Sequence, residues 1–90
     1  MSAVNAARVQ IYTTRFCPFC VMAKRLLDDK GATFKEIAVD NRPDLRAKMT
    51  KKSGATSVPQ IWIGDHHVGG CDELYSLNSA GELDQLLFAN

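Results

Sequence analysis

The sequence predicts an α/β fold, with a small mixed sheet that carries helices on both faces, formed by one domain spanning residues 1–90. Runs rich in β-branched and aromatic residues alternate with runs whose apolar residues recur at helical spacing. The first strand, helix and second strand are long enough for a right-handed parallel crossover. A chain of this length has room for one hydrophobic core, and its 46% hydrophobic and 23% charged residues are typical of a globular protein.

Strands and helices alternate through the first part of the chain. Residues 8–13, RVQIYT, alternate apolar with polar side chains and predict the first strand. The first helix is predicted to begin at Pro18 and to end before Gly31, with one apolar stripe formed by Val21, Met22, Ala23, Leu26 and Leu27. Residues 33–39, TFKEIAV, predict the second strand. A second helix is predicted over residues 43–53, between a proline and a glycine.

The remaining part of the chain predicts two further strands and two short helices. Residues 59–64, PQIWIG, predict the third strand, which turns into an antiparallel fourth strand, DHHVGG. Trp62 and Phe16 are expected to pack in the core or at its rim. A helix is predicted from about Cys71 to Leu77, and a last helix carries three apolar residues, Leu83, Leu86 and Leu87.

Charge and cysteine content argue against several classes of protein. Eleven basic and ten acidic residues leave a formal net charge of +1, which argues against a binding face for nucleic acid or an anionic membrane. No apolar run approaches the roughly 20 residues of a membrane span, and MSAVNAARVQ lacks the apolar stretch of a secretory signal, so we expect a cytoplasmic protein. Three cysteines, an odd number, argue against a disulfide scaffold in that reducing compartment.

Two of the cysteines, Cys17 and Cys20 in CPFC, lie at the junction of the first strand and the first helix. If the helix begins at Pro18, Cys17 is the N-cap and its sulfur faces the backbone N–H groups of Phe19 and Cys20. These donors, the helix dipole and the nearby Arg15 favour the thiolate. A second thiolate one turn away would be repelled, so Cys20 should stay protonated longer. The pattern predicts that Cys17 attacks a disulfide and that Cys20 resolves the mixed disulfide.

Two other interpretations of the pair stay open on the residues alone. Both cysteines would fit as small buried hydrophobic residues. Alternatively, Cys17, Cys20 and Cys71 with either His66 or His67 would supply the four ligands of a structural zinc site, although no second closely spaced ligand pair accompanies CPFC. Apart from that role, the two histidines are expected to be exposed on the hairpin and to have no function.

Three separated segments together resemble the glutaredoxins, and most closely the small bacterial dithiol glutaredoxins. These segments are CPFC at 17–20, SVPQIWIG at 57–64 and GGCDEL at 69–74. The resemblance implies a thioredoxin fold with a four-stranded mixed sheet. It also implies a glutathione-dependent thiol–disulfide oxidoreductase that reduces glutathione mixed disulfides and protein disulfides, works as a monomer, and needs neither a metal nor a permanently bound cofactor.

The resemblance also assigns a glutathione site. Pro59 is implied to be a cis-proline, with the backbone of Val58 binding the cysteinyl portion of glutathione, while Phe19 supplies an aromatic wall. The glycine turn ending at Gly70 leads into a helix N-terminus, which favours anions. By similarity, the N–H groups of Cys71 and Asp72 hold the γ-glutamyl carboxylate, and the side chain of Asp72 meets the neighbouring ammonium group.

The sequence departs from the family pattern at the cation expected for the glycyl carboxylate. Many glutaredoxins have lysine three residues before the first cysteine, where this chain has Thr14. Arg15 is the predicted substitute, because its guanidinium can bind a carboxylate with two hydrogen bonds, and Arg46 is a second candidate. The resemblance leaves one further alternative: an iron–sulfur carrier in which Cys17 of two chains and two glutathiones hold a cluster.

Overall fold

The computed structural model describes residues 7–88. These residues form one four-stranded sheet and four helices in the predicted order. The strands are β1 (Val9–Thr13), β2 (Lys35–Ala38), β3 (Gln60–Ile63) and β4 (His66–Gly69). The helices are α1 (Pro18–Asp29), α2 (Pro43–Ser53), α3 (Cys71–Ser79) and α4 (Leu83–Phe88).

The sheet is mixed, as the sequence predicts, with the strand order β2-β1-β3-β4. Strand β1 pairs with β2 in parallel across α1, and the pairs β1–β3 and β3–β4 are antiparallel. The left-handed conformation of Gly54 ends α2, which agrees with the predicted end of that helix. None of the helices among the described residues is long and apolar enough to cross a membrane.

Each face of the sheet has its own apolar cluster, because side chains alternate between the two faces of a strand. On one face Ile11 and Ile61 pack with residues of α1, α3 and α4. On the other face Tyr12 and Trp62 pack with Met49 of α2. Helices therefore cover both faces, as predicted.

The expectation that Phe16 packs in the core or at its rim is wrong. Phe16 is 93% exposed. It stands in the short loop between β1 and α1, where the chain leaves the sheet before the first helix returns to it.

Strand pairing brings the three distinctive sequence segments together. Strand β1 runs toward Cys17, and its antiparallel pairing of Tyr12 with Gln60 places the start of β3 beside the end of β1. Strand β4 ends next to the same start of β3, where Ile61 pairs with Gly69. The N-terminus of α1, the loop before β3 and the N-terminus of α3 thus lie close together at one edge of the sheet.

Candidate active site

Cys17 is the N-cap of α1, as predicted. Its backbone is extended, with φ −133° and ψ 98°, and Pro18 occupies the first turn of the helix. The backbone N–H of Cys20 donates to the sulfur of Cys17 at 3.1 Å, which is one of the two amide contacts expected from the sequence. Cys17 is half-buried, and its Sγ lies 3.8 Å from the carbonyl oxygen of Val58. The sulfur is therefore held at a helix N-terminus in a residue that remains partly exposed.

Cys20 lies one turn further into α1 and is only 1% exposed. Burial raises the pKa of its thiol to about 12, and the hydrogen bond between its side chain and that of Cys17 acts in the same direction. The raised pKa agrees with the expectation that Cys20 stays protonated longer. The main cause is burial, whereas the repulsion by the neighbouring sulfur that was expected from the sequence is a smaller effect.

A cleft of about 220 Å³ opens beside Cys17 and is formed by the three converging segments. The structure places in its walls six of the residues assigned to the glutathione site by resemblance. The Val58–Pro59 peptide bond is cis, as the resemblance implies. The complete lining consists of Phe19, Ser57, Val58, Pro59, Gly70, Cys71, Asp72 and Glu73.

The N-terminus of α3 forms one end of the cleft. The N–H groups of Cys71 and Asp72 belong to the first turn, so no carbonyl of the same helix is available to accept from them. The carboxylate of Glu73 turns back and accepts the N–H of Gly70 at 2.7 Å. Glu73 is not among the residues predicted from the sequence, although an acidic residue three positions after an N-cap is a known capping pattern.

Cys71 contributes to the cleft wall but is only 5% exposed, and it packs in the cluster beneath α1 and α3. Burial raises the pKa of its thiol, and the negative charges of Asp72 and Cys17 add to this effect. A thiol that is buried and resists ionisation is a poor nucleophile. The side chain of Cys71 is therefore a packing group.

The two arginine candidates lie outside the lining of the cleft. The backbone N–H of Arg15 donates to both carboxylate oxygens of Asp40 at 3.0 Å. In the side chain of Arg15, Nε lies 3.8 Å from Oδ2 of Asp40. Arg46 donates from Nη2 to the carbonyl oxygen of Thr56 at 3.3 Å. Thr56 directly precedes the cleft residue Ser57, so Arg46 approaches the rim of the cleft, whereas the largely exposed side chain of Arg15 lies near Asp40.

The zinc site considered from the sequence is not assembled. Within residues 7–88, no three His, Cys, Asp or Glu side chains lie close enough together to hold a metal ion. His67 instead stacks on Trp62, with ring centroids 4.6 Å apart, on the face of the sheet that α2 covers.

Comparison with known proteins identifies the family. The glutaredoxin family model matches residues 9–68, which is more than half of the chain. The chain belongs to the glutaredoxin family. A glutaredoxin of Pseudomonas aeruginosa is 59% identical over 81 residues, which cover 90% of this chain and 96% of that protein.

Solved glutaredoxin structures share the fold. The solution structure of glutaredoxin from Brucella melitensis is 52% identical, with a TM-score of 0.81, and the match covers 91% of this chain and 89% of the other. The crystal structure of a buckwheat glutaredoxin–glutathione complex is 29% identical, with a TM-score of 0.83 and coverage of 92% and 78%. The predicted four-stranded thioredoxin fold is confirmed, and membership of this family implies glutathione-dependent redox chemistry.

Proposed function

We propose that this glutaredoxin reduces glutathione mixed disulfides and protein disulfides, with Cys17 as the nucleophile and Cys20 as the resolving cysteine. The observation that carries the proposal is the position of the Cys17 sulfur. It accepts a backbone N–H at the start of α1 and lies 3.8 Å from the carbonyl oxygen of Val58, a residue of the cleft wall, and Cys17 itself is only half-buried.

In the first step the Cys17 thiolate attacks the glutathione sulfur of a mixed disulfide. A new bond forms between Cys17 Sγ and that sulfur, the original S–S bond breaks, and the substrate thiolate leaves with the electron pair and takes a proton from water. A second glutathione thiolate then attacks the bound glutathione sulfur. Glutathione disulfide leaves and the Cys17 thiolate is restored.

The reduction of protein disulfides requires both Cys17 and Cys20. Attack by Cys17 leaves a mixed disulfide with the substrate protein. Cys20 then loses its proton, attacks the sulfur of Cys17 and releases the substrate thiolate, so that an internal disulfide remains. Two glutathiones reduce this disulfide. Because the Cys20 thiol is buried and neutral at ordinary pH, it does not compete with Cys17 for the first attack.

The cleft suits the glutathione moiety. The buckwheat relative was solved as a complex with glutathione. In this chain we assign the cysteinyl backbone of glutathione to Val58 and the γ-glutamyl carboxylate to the N–H groups of Cys71 and Asp72, where a helix N-terminus favours an anion. Pro59 and Phe19 form the adjoining walls, and the absence of a side chain at Gly70 lets it pack against Glu73, because a Cβ there would lie 3.2 Å from a carboxylate oxygen of Glu73.

For the glycyl carboxylate we now prefer Arg46 to Arg15. Arg46 already reaches the loop that precedes the cleft, at the carbonyl of Thr56, whereas Arg15 faces the carboxylate of Asp40. We further propose that the chain acts as a monomeric single domain in the cytoplasm, where thiols are kept reduced, and that glutathione is its only small-molecule reactant.

The experiment is a glutathione-coupled assay on two substrates, a small glutathione mixed disulfide and a protein disulfide, with Cys17→Ser and Cys20→Ser. Cys17→Ser should abolish both activities. Cys20→Ser should keep reduction of the mixed disulfide and lose the dithiol-dependent reduction of the protein disulfide. Equal loss of both activities in the two variants would contradict the assigned roles.

A further inference from the structure

A chain of hydrogen bonds links the edge strand β4 with the loop that forms one wall of the cleft. His67 Nε2 and Gln60 Oε1 are 2.7 Å apart. Gln60 Nε2 in turn lies 3.1 Å from the carbonyl oxygen and 3.4 Å from the hydroxyl oxygen of Ser57. Gln60 is only 5% exposed, so all these bonds are made by a buried amide, whose polar atoms need partners.

Ser57 fixes the direction of each bond. A carbonyl oxygen can only accept, so Gln60 turns its NH₂ group toward Ser57 and its oxygen toward β4. His67 Nε2 must then carry a proton and donate it to Gln60. An uncharged side chain without a donor at position 67 would leave the buried oxygen of Gln60 without a partner, which is costly, or would allow the amide to rotate away from Ser57.

The sheet explains why these two side chains meet. His67 pairs with Trp62 across the β3–β4 hairpin, and Gln60 lies two residues before Trp62 on the same face of the sheet. The pairing of β3 with β4 is irregular between Ile61 and Trp62. The ring of His67 stacks on Trp62 at an interplanar angle of 27°, which limits its rotation.

We propose that Gln60 and His67 are positioning residues for the glutathione cleft. The hydrogen bonds from Gln60 fix the position of Ser57. They thereby keep the next residue, Val58, at the place where its carbonyl oxygen lies 3.8 Å from Cys17 Sγ. The inference rests on the proposed function, because the part of the loop that they hold is the part assigned to glutathione. Neither residue lines the cleft, so they should affect binding of the glutathione moiety more than the sulfur chemistry.

The test compares His67→Phe with His67→Gln. Phenylalanine keeps a ring over Trp62 but lacks the N–H, whereas the amide nitrogen of glutamine reaches the position of Nε2. In glutathione-coupled reduction of a small mixed disulfide, His67→Phe should raise KM about two- to tenfold, as expected for one lost hydrogen bond, and should change kcat less than about twofold. His67→Gln should restore KM, and His66→Phe, at the neighbouring position of β4, should leave it unchanged.

A double-mutant cycle shows whether His67 acts through Gln60. Gln60→Met fills the buried position without an amide, so adding His67→Phe to it should raise KM no further. An equal KM increase in both backgrounds would overturn the proposal, and so would an unchanged KM in the single His67→Phe variant.

A measurement that needs no substrate separates this proposal from the proposed function. Hydrogen exchange of the Gln60 side-chain amide, followed by NMR, should be slow in the wild type and about tenfold or more faster in His67→Phe. Unchanged exchange in that variant would refute the hydrogen-bonded chain. An inactive wild type would instead refute the proposed function, so the two failures are distinguishable.

Discussion

Replacing Cys20 by serine should remove a loss of stability that we expect of the reduced wild-type protein at alkaline pH. The pKa of the Cys20 thiol rises from 9.0 in a free thiol to about 12 in the folded chain. The folded state therefore holds this proton more tightly than the unfolded state. The stabilisation is fully present below pH 9 and is lost as the pH rises toward 12.

The magnitude follows from the two pKa values. At about pH 10.5 the medium is roughly 1.5 units above the pKa of the unfolded thiol and still below that of the folded one. Each unit corresponds to about 1.4 kcal/mol, so ionisation of Cys20 should lower the free energy of unfolding by about 2 kcal/mol between pH 7.5 and pH 10.5. Cys20→Ser should lack this contribution.

The assay is urea unfolding under a phosphine reductant, followed by the fluorescence of the single tryptophan, Trp62. Other groups that titrate in this range are common to both proteins, so the difference between wild type and Cys20→Ser isolates the contribution of Cys20. Cys17→Ser is the control that separates burial from the influence of the neighbouring sulfur. Because burial is the larger cause of the raised Cys20 pKa, this variant should retain most of the alkaline loss of stability. The same alkaline loss in wild type and Cys20→Ser would refute the reasoning.

Three further predictions concern the cleft and its supports. Arg46→Ala should raise KM for a glutathione mixed disulfide more than Arg15→Ala does, as measured by steady-state kinetics; a larger effect of Arg15 would reverse our preference. Asp72→Ala should raise the same KM about tenfold with little change in thermal stability, because the resemblance assigns its carboxylate as the acceptor for the ammonium group of glutathione; an unchanged KM would remove Asp72 from the proposed site. Gly69→Ala should lower the free energy of unfolding by about 1–3 kcal/mol, since its φ is +110° and a Cβ would lie 3.0 Å from a carboxylate oxygen of α3. The matched change Gly64→Ala, at φ +62° with open space around the position, should cost only about 1 kcal/mol, and urea unfolding that ranks the two glycines in the opposite order would contradict this account.

Much of the fold could be predicted because local signals agree with the final architecture. Proline at position 18 and glycine at position 54 mark helix ends that the structure reproduces within two residues of the predicted bounds. The second strand is shorter than predicted, covering Lys35–Ala38 instead of 33–39. Composition shows which residues favour a strand, but only the register with β1, from Gln10 to Thr13, decides which of them pair.

The site was partly predictable for a similar reason. An N-cap position follows from local sequence, and the resemblance supplied the segments that strand pairing then brings to one edge of the sheet. Cys20 shows the limit of this reasoning: its protonation was predicted, but its burial depends on packing that no local pattern reveals.

Contacts between side chains distant in sequence were the least predictable. The exposure of Phe16, the contact of Arg15 with Asp40 and the bond between His67 and Gln60 each depend on how separate segments are oriented. His67 was expected to have no function because a histidine on a short hairpin strand carries no local signal. Its bond to Gln60 lies on a diagonal of the sheet, which requires the register of β3 with β4.

The most direct test of the central claim is mass spectrometry of Cys20→Ser after treatment with glutathione disulfide. Without a resolving cysteine, the mixed disulfide formed by the first attack should accumulate. We predict one glutathionyl group per chain, attached to Cys17, while the buried Cys71 stays unmodified. A glutathionyl group on Cys71, or no adduct on Cys17, would contradict the account.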